Sequence, residues 1–166
     1  MILKGMVYKL PDNINTDLII SGRYKFAITD MQELAKHVFE DYDPELAKKL
    51  KPGASIIVAG ENFGMGSSRE QAPLAMKHAG IIAVVAKNFA RIFYRNAFNI
   101  GLPLIETNTK DFKAGDNLEI DLDNGIINDT TANQEFTVKP LPSFMQTLLN
   151  DGGLVSHFKK YGRLNL

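Results

Sequence analysis

A length of 166 residues suits one domain spanning 1–166, and 45% hydrophobic against 23% charged residues is the composition of a soluble globular chain with its own core. With 19 basic and 19 acidic residues the formal net charge is zero, which removes the electrostatic footprint of a nucleic-acid or anionic-membrane binder. The absence of cysteine removes disulfides and any thiolate ligand for an iron–sulfur cluster from this chain.

Residues 1–5 do not have the pattern of a secretory leader, and no apolar run reaches the ~18–20 residues of a membrane span, so the cytoplasm is the expected compartment. Residues 2–9 alternate loosely and predict a strand, 11–15 a turn, and 16–20 a short apolar segment. Asp17 either caps local backbone there or takes part in chemistry. The stretch 21–30 reads as a loop of mixed chemistry, in which Lys25 is expected to be solvated. Thr29 or Asp30 can cap a helix over 32–39, and Pro44 opens a short helix ending near Leu50.

An apolar strand over 55–59 then runs into Gly60-Glu61-Asn62-Phe63-Gly64-Met65-Gly66-Ser67-Ser68-Arg69-Glu70, and a helical pattern follows over 68–78. A glycine-rich turn between a strand and a helix N-terminus is suited to an anion: unpaired N–H groups and the helix dipole both favour negative charge. Gly64 and Gly66 allow the backbone close approach, Ser67 and Glu70 have capping-box spacing, and Arg69 supplies a fork of donors that fits a carboxylate or phosphate. The same features also describe a purely structural capped turn. The stretch is not a P-loop, a G-x-G-x-x-G fingerprint or a G-x-S-x-G elbow. Pro73 leaves the helix start open between Ser68 and Ala72.

Residues 81–86 are near-continuously apolar, as in a strand covered on both faces, and strand–helix–strand order predicts parallel pairing. In the helix predicted over 88–98, Phe89, Ile92, Phe93 and Asn96 fall at helical spacing, and the aromatics read as core. Arg91 and Arg95 lie four apart on one face, where a solvated or ion-paired role and a substrate role stand level. A short strand over 103–106 follows. Asp123-Asn124-Gly125 between two apolar runs predicts a hairpin, 134–138 another strand, and 142–149 and 154–161 two closing helices. His37, His78 and His157 lack metal-ligand spacing and read as surface or helix-end residues.

Gly64-Met65-Gly66-Ser67-Ser68-Arg69-Glu70 resembles the G-x-G-S-S-R-E motif of the aconitase superfamily, in particular the separate small subunits of isopropylmalate dehydratases and homoaconitases. Asp12-Asn13-Ile14-Asn15-Thr16-Asp17-Leu18-Ile19 is similar to the D-x-I-x-T-D-x-I signature of that family, and Phe89-Ala90-Arg91-Ile92-Phe93-Tyr94-Arg95-Asn96 to its F-A-R-I-F-Y-R-N stretch. Met65 stands where many relatives have Cys.

The resemblance implies an α/β fold: a compact swivelling domain with a mainly parallel central sheet, flanking helices and an antiparallel hairpin extension. It implies reversible dehydration of a substituted malate in leucine biosynthesis, with Ser67 as general base and Ser68 and Arg69 binding a substrate carboxylate. Gly64 and Gly66 would offer loop backbone to the anion. Asp17, Arg23, Tyr24, Lys25, Phe26 and Ile28 would meet the substrate, the loop residues at its variable arm. The chain itself would hold no cofactor and no metal; a large-subunit partner would carry a [4Fe–4S] cluster. Isopropylmalate is favoured over homoaconitate, with dimethylmalate and other alkylmalates open. The competing classes are a non-catalytic anion-binding module and, disfavoured by the neutral charge, an RNA binder.

Overall fold

The computed structural model describes residues 1–164, and among them seven strands form one sheet. These are β1 (Ile2–Lys9), β2 (Ser55–Val58), β3 (Ile81–Ala86), β4 (Leu104–Glu106), β5 (Asn117–Asp121), β6 (Ile126–Asp129) and β7 (Gln134–Thr137). Their order is β4-β3-β2-β1-β5-β6-β7. β1 is the joint: it runs parallel to β2, with Val7 opposite Ile56, and antiparallel to β5, with Gly5 opposite Leu118. β2–β3 and β3–β4 are parallel, whereas β5–β6 and β6–β7 are antiparallel. The parallel pairing expected for the centre thus holds on one side of β1, and the antiparallel extension is continuous with it.

Apolar patterning accounts for the difference between the sides. Every residue of β2 is buried, and in β3 all but Ile82 are, so these strands have cover on both faces. β5 alternates, with Leu118 and Ile120 buried between exposed Asn117 and half-exposed Glu119 and Asp121, which is the pattern of a strand packed on one face. The predicted hairpin forms between β5 and β6. Gly125 takes φ 69°, and the Asp121 carboxylate accepts from the Asn124 side-chain amide and from the backbone N–H groups of Asn124 and Asp123, which holds it below the usual carboxylate range.

Between β1 and β2 lie four short helices: α1 (Thr16–Ile19), α2 (Gly22–Lys25), α3 (Met31–Ala35) and α4 (Leu46–Lys49). Asp30 caps α3 through the Gln32 and Glu33 amides, as one of the two expected caps. The helix predicted over 32–39 stops early, however. Phe39 takes φ 61°, is fully buried, and donates its N–H to Ile19 O at 2.8 Å, so core packing overrides local helix propensity. The longer helices are α5 (Gln71–His78), α6 (Arg91–Asn99), α7 (Ser143–Asn150) and α8 (Leu154–Tyr161).

α5 starts at Gln71, between the two starts that the sequence left open, which makes Pro73 its third residue. First-turn N–H groups have no intrahelical acceptor, so its missing donor costs nothing there. His157, expected near the surface, is fully buried with its Nδ1 2.7 Å from Asp151 Oδ2.

Candidate active site

The site is built where three parallel strands end. β1 leads into residues 10–16, β2 into 59–66 and β3 into 87–90, and these segments hold one another through the backbone. Gly64 N donates to Ile14 O at 2.7 Å, Thr16 N to Met65 O at 2.9 Å, and Ala90 N to Phe63 O at 2.9 Å. Asn88 Oδ1 accepts from Asn62 N at 2.6 Å, and Asp12 Oδ1 from Glu61 N at 2.7 Å. Gly64 has φ 81°, and a Cβ there would stand 2.2 Å from Phe93 Cγ, so only glycine lets the loop lie on that ring.

Ser67 emerges from this strapped loop, half-buried, at the wall of a cleft of about 690 Å³. The other walls are Gly64, Gly66, Ala90, Arg91, Ile92 and Arg95. No acidic side chain among the described residues lines the cleft. Among the described residues Arg91, Arg95 and Arg69 have no carboxylate partner. The arrangement therefore presents a hydroxyl under positive potential, open to an anionic ligand.

Two local expectations are corrected. Ser67 and Glu70 do not form a capping box: Glu70 itself occupies the N-cap of α5 in helical geometry, with no side-chain cap bond. The bonds to Ile14 and Thr16 carry the chain away from the helix axis, and 67–69 stay non-helical. Gly64 and Gly66 both line the cleft, but the Gly64 amide, expected to face an anion, is already donated to Ile14 O.

The remaining sequence-predicted residues divide. Ser68 is exposed, and its carbonyl accepts from Asn96 Nδ2 at 2.9 Å, which ties the serine segment to α6. Arg69, two residues beyond Ser67, lies with its guanidinium carbon 4.4 Å from the centre of the Phe26 ring, and Phe26 is 73% exposed. Lys25 is not solvated. Its side chain is 5% exposed and donates to Asp17 Oδ1 at 2.9 Å, so Asp17 is its partner rather than a backbone cap. Asn15 caps α1 instead, accepting from Leu18 N.

Arg23 pairs with Asp41 at 2.7 Å. Tyr24 stacks on His37 at 3.8 Å, and its hydroxyl donates to Glu40. Ile28 packs against the core. The loop expected over 21–30 is therefore a turn of helix pinned on its far side, and only Phe26 among its named residues stands beside Arg69. Thr16 Oγ1 is buried without a hydrogen-bond partner among the described residues.

Arg91 and Arg95 are the cleft residues that sequence reasoning left undecided. Their four-residue spacing was visible, but not that their shared face turns toward Ser67. No group of three His, Cys, Asp or Glu side chains that could hold a metal occurs among the described residues.

Residues 8–110 match the aconitase C-terminal domain family. The chain is 52% identical over 166 residues to 3-isopropylmalate dehydratase small subunit 2 of Archaeoglobus fulgidus, covering 100% of both. It is 52% identical over 159 residues to the methanogen homoaconitase small subunit of Methanothermobacter thermautotrophicus, covering 96% of this chain and 92% of that one. The crystal structure of 3-isopropylmalate dehydratase from Methanocaldococcus jannaschii superposes with a TM-score of 0.92 at 49% identity, covering 98% and 96% of the two chains.

Proposed function

The chain belongs to the aconitase C-terminal domain family, among the 3-isopropylmalate dehydratase and homoaconitase small subunits, and from that premise we propose its reaction and the division of labour within it. It is the small subunit of a hydro-lyase that interconverts 2- and 3-isopropylmalate in leucine biosynthesis. The reaction removes a proton from the carbon beside a carboxylate and hydroxide from its neighbour, releasing water. Water then adds back with the two positions exchanged.

Ser67 is the base. The motif holds no His or Lys to activate it for acyl transfer, but Arg91 and Arg95 line the same cleft, and nearby cations favour an ionised serine and an anionic substrate alike. Ser68 and Arg69 bind a substrate carboxylate once Arg69 turns from Phe26. A [4Fe–4S] cluster, which would supply Lewis-acid chemistry at the leaving hydroxyl, does not fit this chain. It has no cysteine, and among the described residues no alternative cluster of ligands exists. We assign the cluster to a large subunit. The purified chain should bind no iron and be inactive until that partner is added.

One observation carries the substrate choice. Lys25, the loop cation that could meet the distant carboxylate of homoaconitate, is buried against Asp17, while apolar Phe26 stays exposed beside Arg69. An isopropyl branch meets Phe26 without asking for a charge. The test compares kcat/KM for isopropylmalate, dimethylmalate and homocitrate in the assembled enzyme. Isopropylmalate is expected to lead, and Phe26→Arg to weaken or reverse that preference. A wild type that prefers homocitrate and loses the preference in Lys25→Ala makes the chain a homoaconitase subunit instead.

A further inference from the structure

Arg91 and Arg95 occupy places that are bad for stability. Arg91 is the first residue of α6, so its cation sits at the positive end of the helix dipole. Arg95 is one turn further on, and like charges at this spacing repel. Neither has a carboxylate partner among the described residues, and no acidic side chain lines the cleft they share with Ser67. The wall opposite cannot shift to relieve them. Gly64 is strapped to Ile14 and packed on Phe93 of the same helix, and Asn96, next to Arg95, holds the Ser68 carbonyl. Local rules are broken where something else is gained, and here the gain is an anion between the arginines and the serine.

We propose that Arg91 and Arg95 form a second carboxylate subsite, holding one carboxylate of the substituted malate while Arg69 takes the other. The inference rests on the reading of the chain as a subunit acting on a malate-type diacid. A diacid spanning the two subsites has its central carbons fixed across the mouth of the cleft, within reach of Ser67. Arg69 is not among the residues lining the cleft and lies against Phe26, so by itself it positions only one end of such a molecule. Two planar guanidiniums give directional recognition that lysines would not. The subsite also makes the serine discriminate: a monoacid can occupy either end but is not held at both.

The test uses Arg91→Gln, Arg95→Gln and the double variant in the enzyme assembled with its large subunit. Each single change should raise KM for isopropylmalate about tenfold and the double about a hundredfold, with a smaller fall in kcat because the same cations favour the ionised serine. Arg91→Lys should recover only part of the loss. Thermal stability should be unchanged or higher, because an unfavourable pair of charges is removed. A fall in stability that accounts for the activity loss makes the arginines structural, and a loss restored by excess large subunit makes them a subunit contact; either overturns the proposal, as does an unchanged KM.

If the wild-type assembly turns over none of the alkylmalates, it is the reading of the reaction that has failed. A separate measurement then decides the subsite: titration of the full chain with L-malate, followed by the guanidinium N–H resonances. Those of Arg91 and Arg95 should shift saturably, and the double variant should lose the binding. Resonances that stay in place in tens of millimolar malate overturn the subsite whatever the reaction.

Discussion

At the carboxyl ends of β1, β2 and β3 the chain enters three segments that hydrogen-bond to one another, and Ser67 follows from the second of them at the wall of the cleft. At the corresponding ends of β5 and β6 it turns straight back, through residues 122–125 and 130–133. Parallel strands must all exit at the same edge of a sheet, so their following loops are forced together; antiparallel strands send successive loops to opposite edges. Chemistry that needs a hydroxyl, a cation and a shaped backbone in one place belongs on the first half. The family match, residues 8–110, covers that half and ends before β5. The second half pairs with β1 and thereby fixes the strand from which residues 10–16 depart.

The largest effect expected from this contrast is at Ser67. In the assembled enzyme Ser67→Ala should lower kcat at least about a thousandfold with little change in KM and none in thermal stability. Near-normal kcat would reduce the serine to a loop residue.

A matched pair of glycines separates the two halves most directly. An alanine Cβ at Gly64 would lie 2.2 Å from Phe93 Cγ, and one at Gly125 would lie 2.3 Å from Val138 O, both at positive φ. Each change should cost about 2–4 kcal/mol of stability, on the order of 5–15 °C in Tm. Below their unfolding transitions, Gly64→Ala should also lose activity, whereas Gly125→Ala should keep wild-type kcat and KM. Equal loss of activity in both would erase the distinction between halves.

Arg69→Lys should raise KM about tenfold and leave kcat within about twofold, since lysine keeps the charge but not the fork. A fall in kcat alone would move Arg69 from binding to the chemical step.

The smallest effect is expected far from the cleft, at Asp151. Hydrogen bonds from Lys160 and then His157 hold its carboxyl below the ordinary aspartate value of about 3.9. A depressed folded pKa contributes stability that is fully present above the unfolded value and is lost as pH falls through the lower, folded one. Asp151→Asn should therefore lower Tm by roughly a few degrees at pH 7, and the deficit should shrink below about pH 4, where wild type loses the same contribution. kcat and KM at pH 7 should not move. A deficit that persists unchanged through the acid range would place the effect in packing around buried His157.

Much of the fold is legible from local pattern. The apolar runs of β2 and β3, the Asp123-Asn124-Gly125 turn and the breaks at Gly152 and Gly153 each carry their own signal. What local pattern does not carry is which distant segments meet. Nothing near Gly5 announces Leu118 as its partner across 113 positions of chain, so the role of β1 as joint is invisible until the sheet is seen. The same limit explains α5. Ser67 and Glu70 have the spacing of a cap, but bonds from Ile14 and Thr16 hold the preceding loop and the helix starts later. Burial of Lys25 follows from Asp17 eight residues earlier, a pair joined only by the turn between α1 and α2. The serine motif was legible as a candidate site; the arginines of α6 were legible only as a spacing, because the orientation of a helix face depends on everything packed behind it.

On the proposed roles of Phe26 and Arg69, the contact between them ties substrate choice to substrate binding in the history of the protein. Position 26 cannot drift freely. A replacement that alters the pocket also alters where the Arg69 guanidinium rests before substrate arrives, and an arginine there sets two like charges face to face. Changes of diet in this lineage are therefore expected to arrive as coupled substitutions at 26 and 69 or their immediate neighbours.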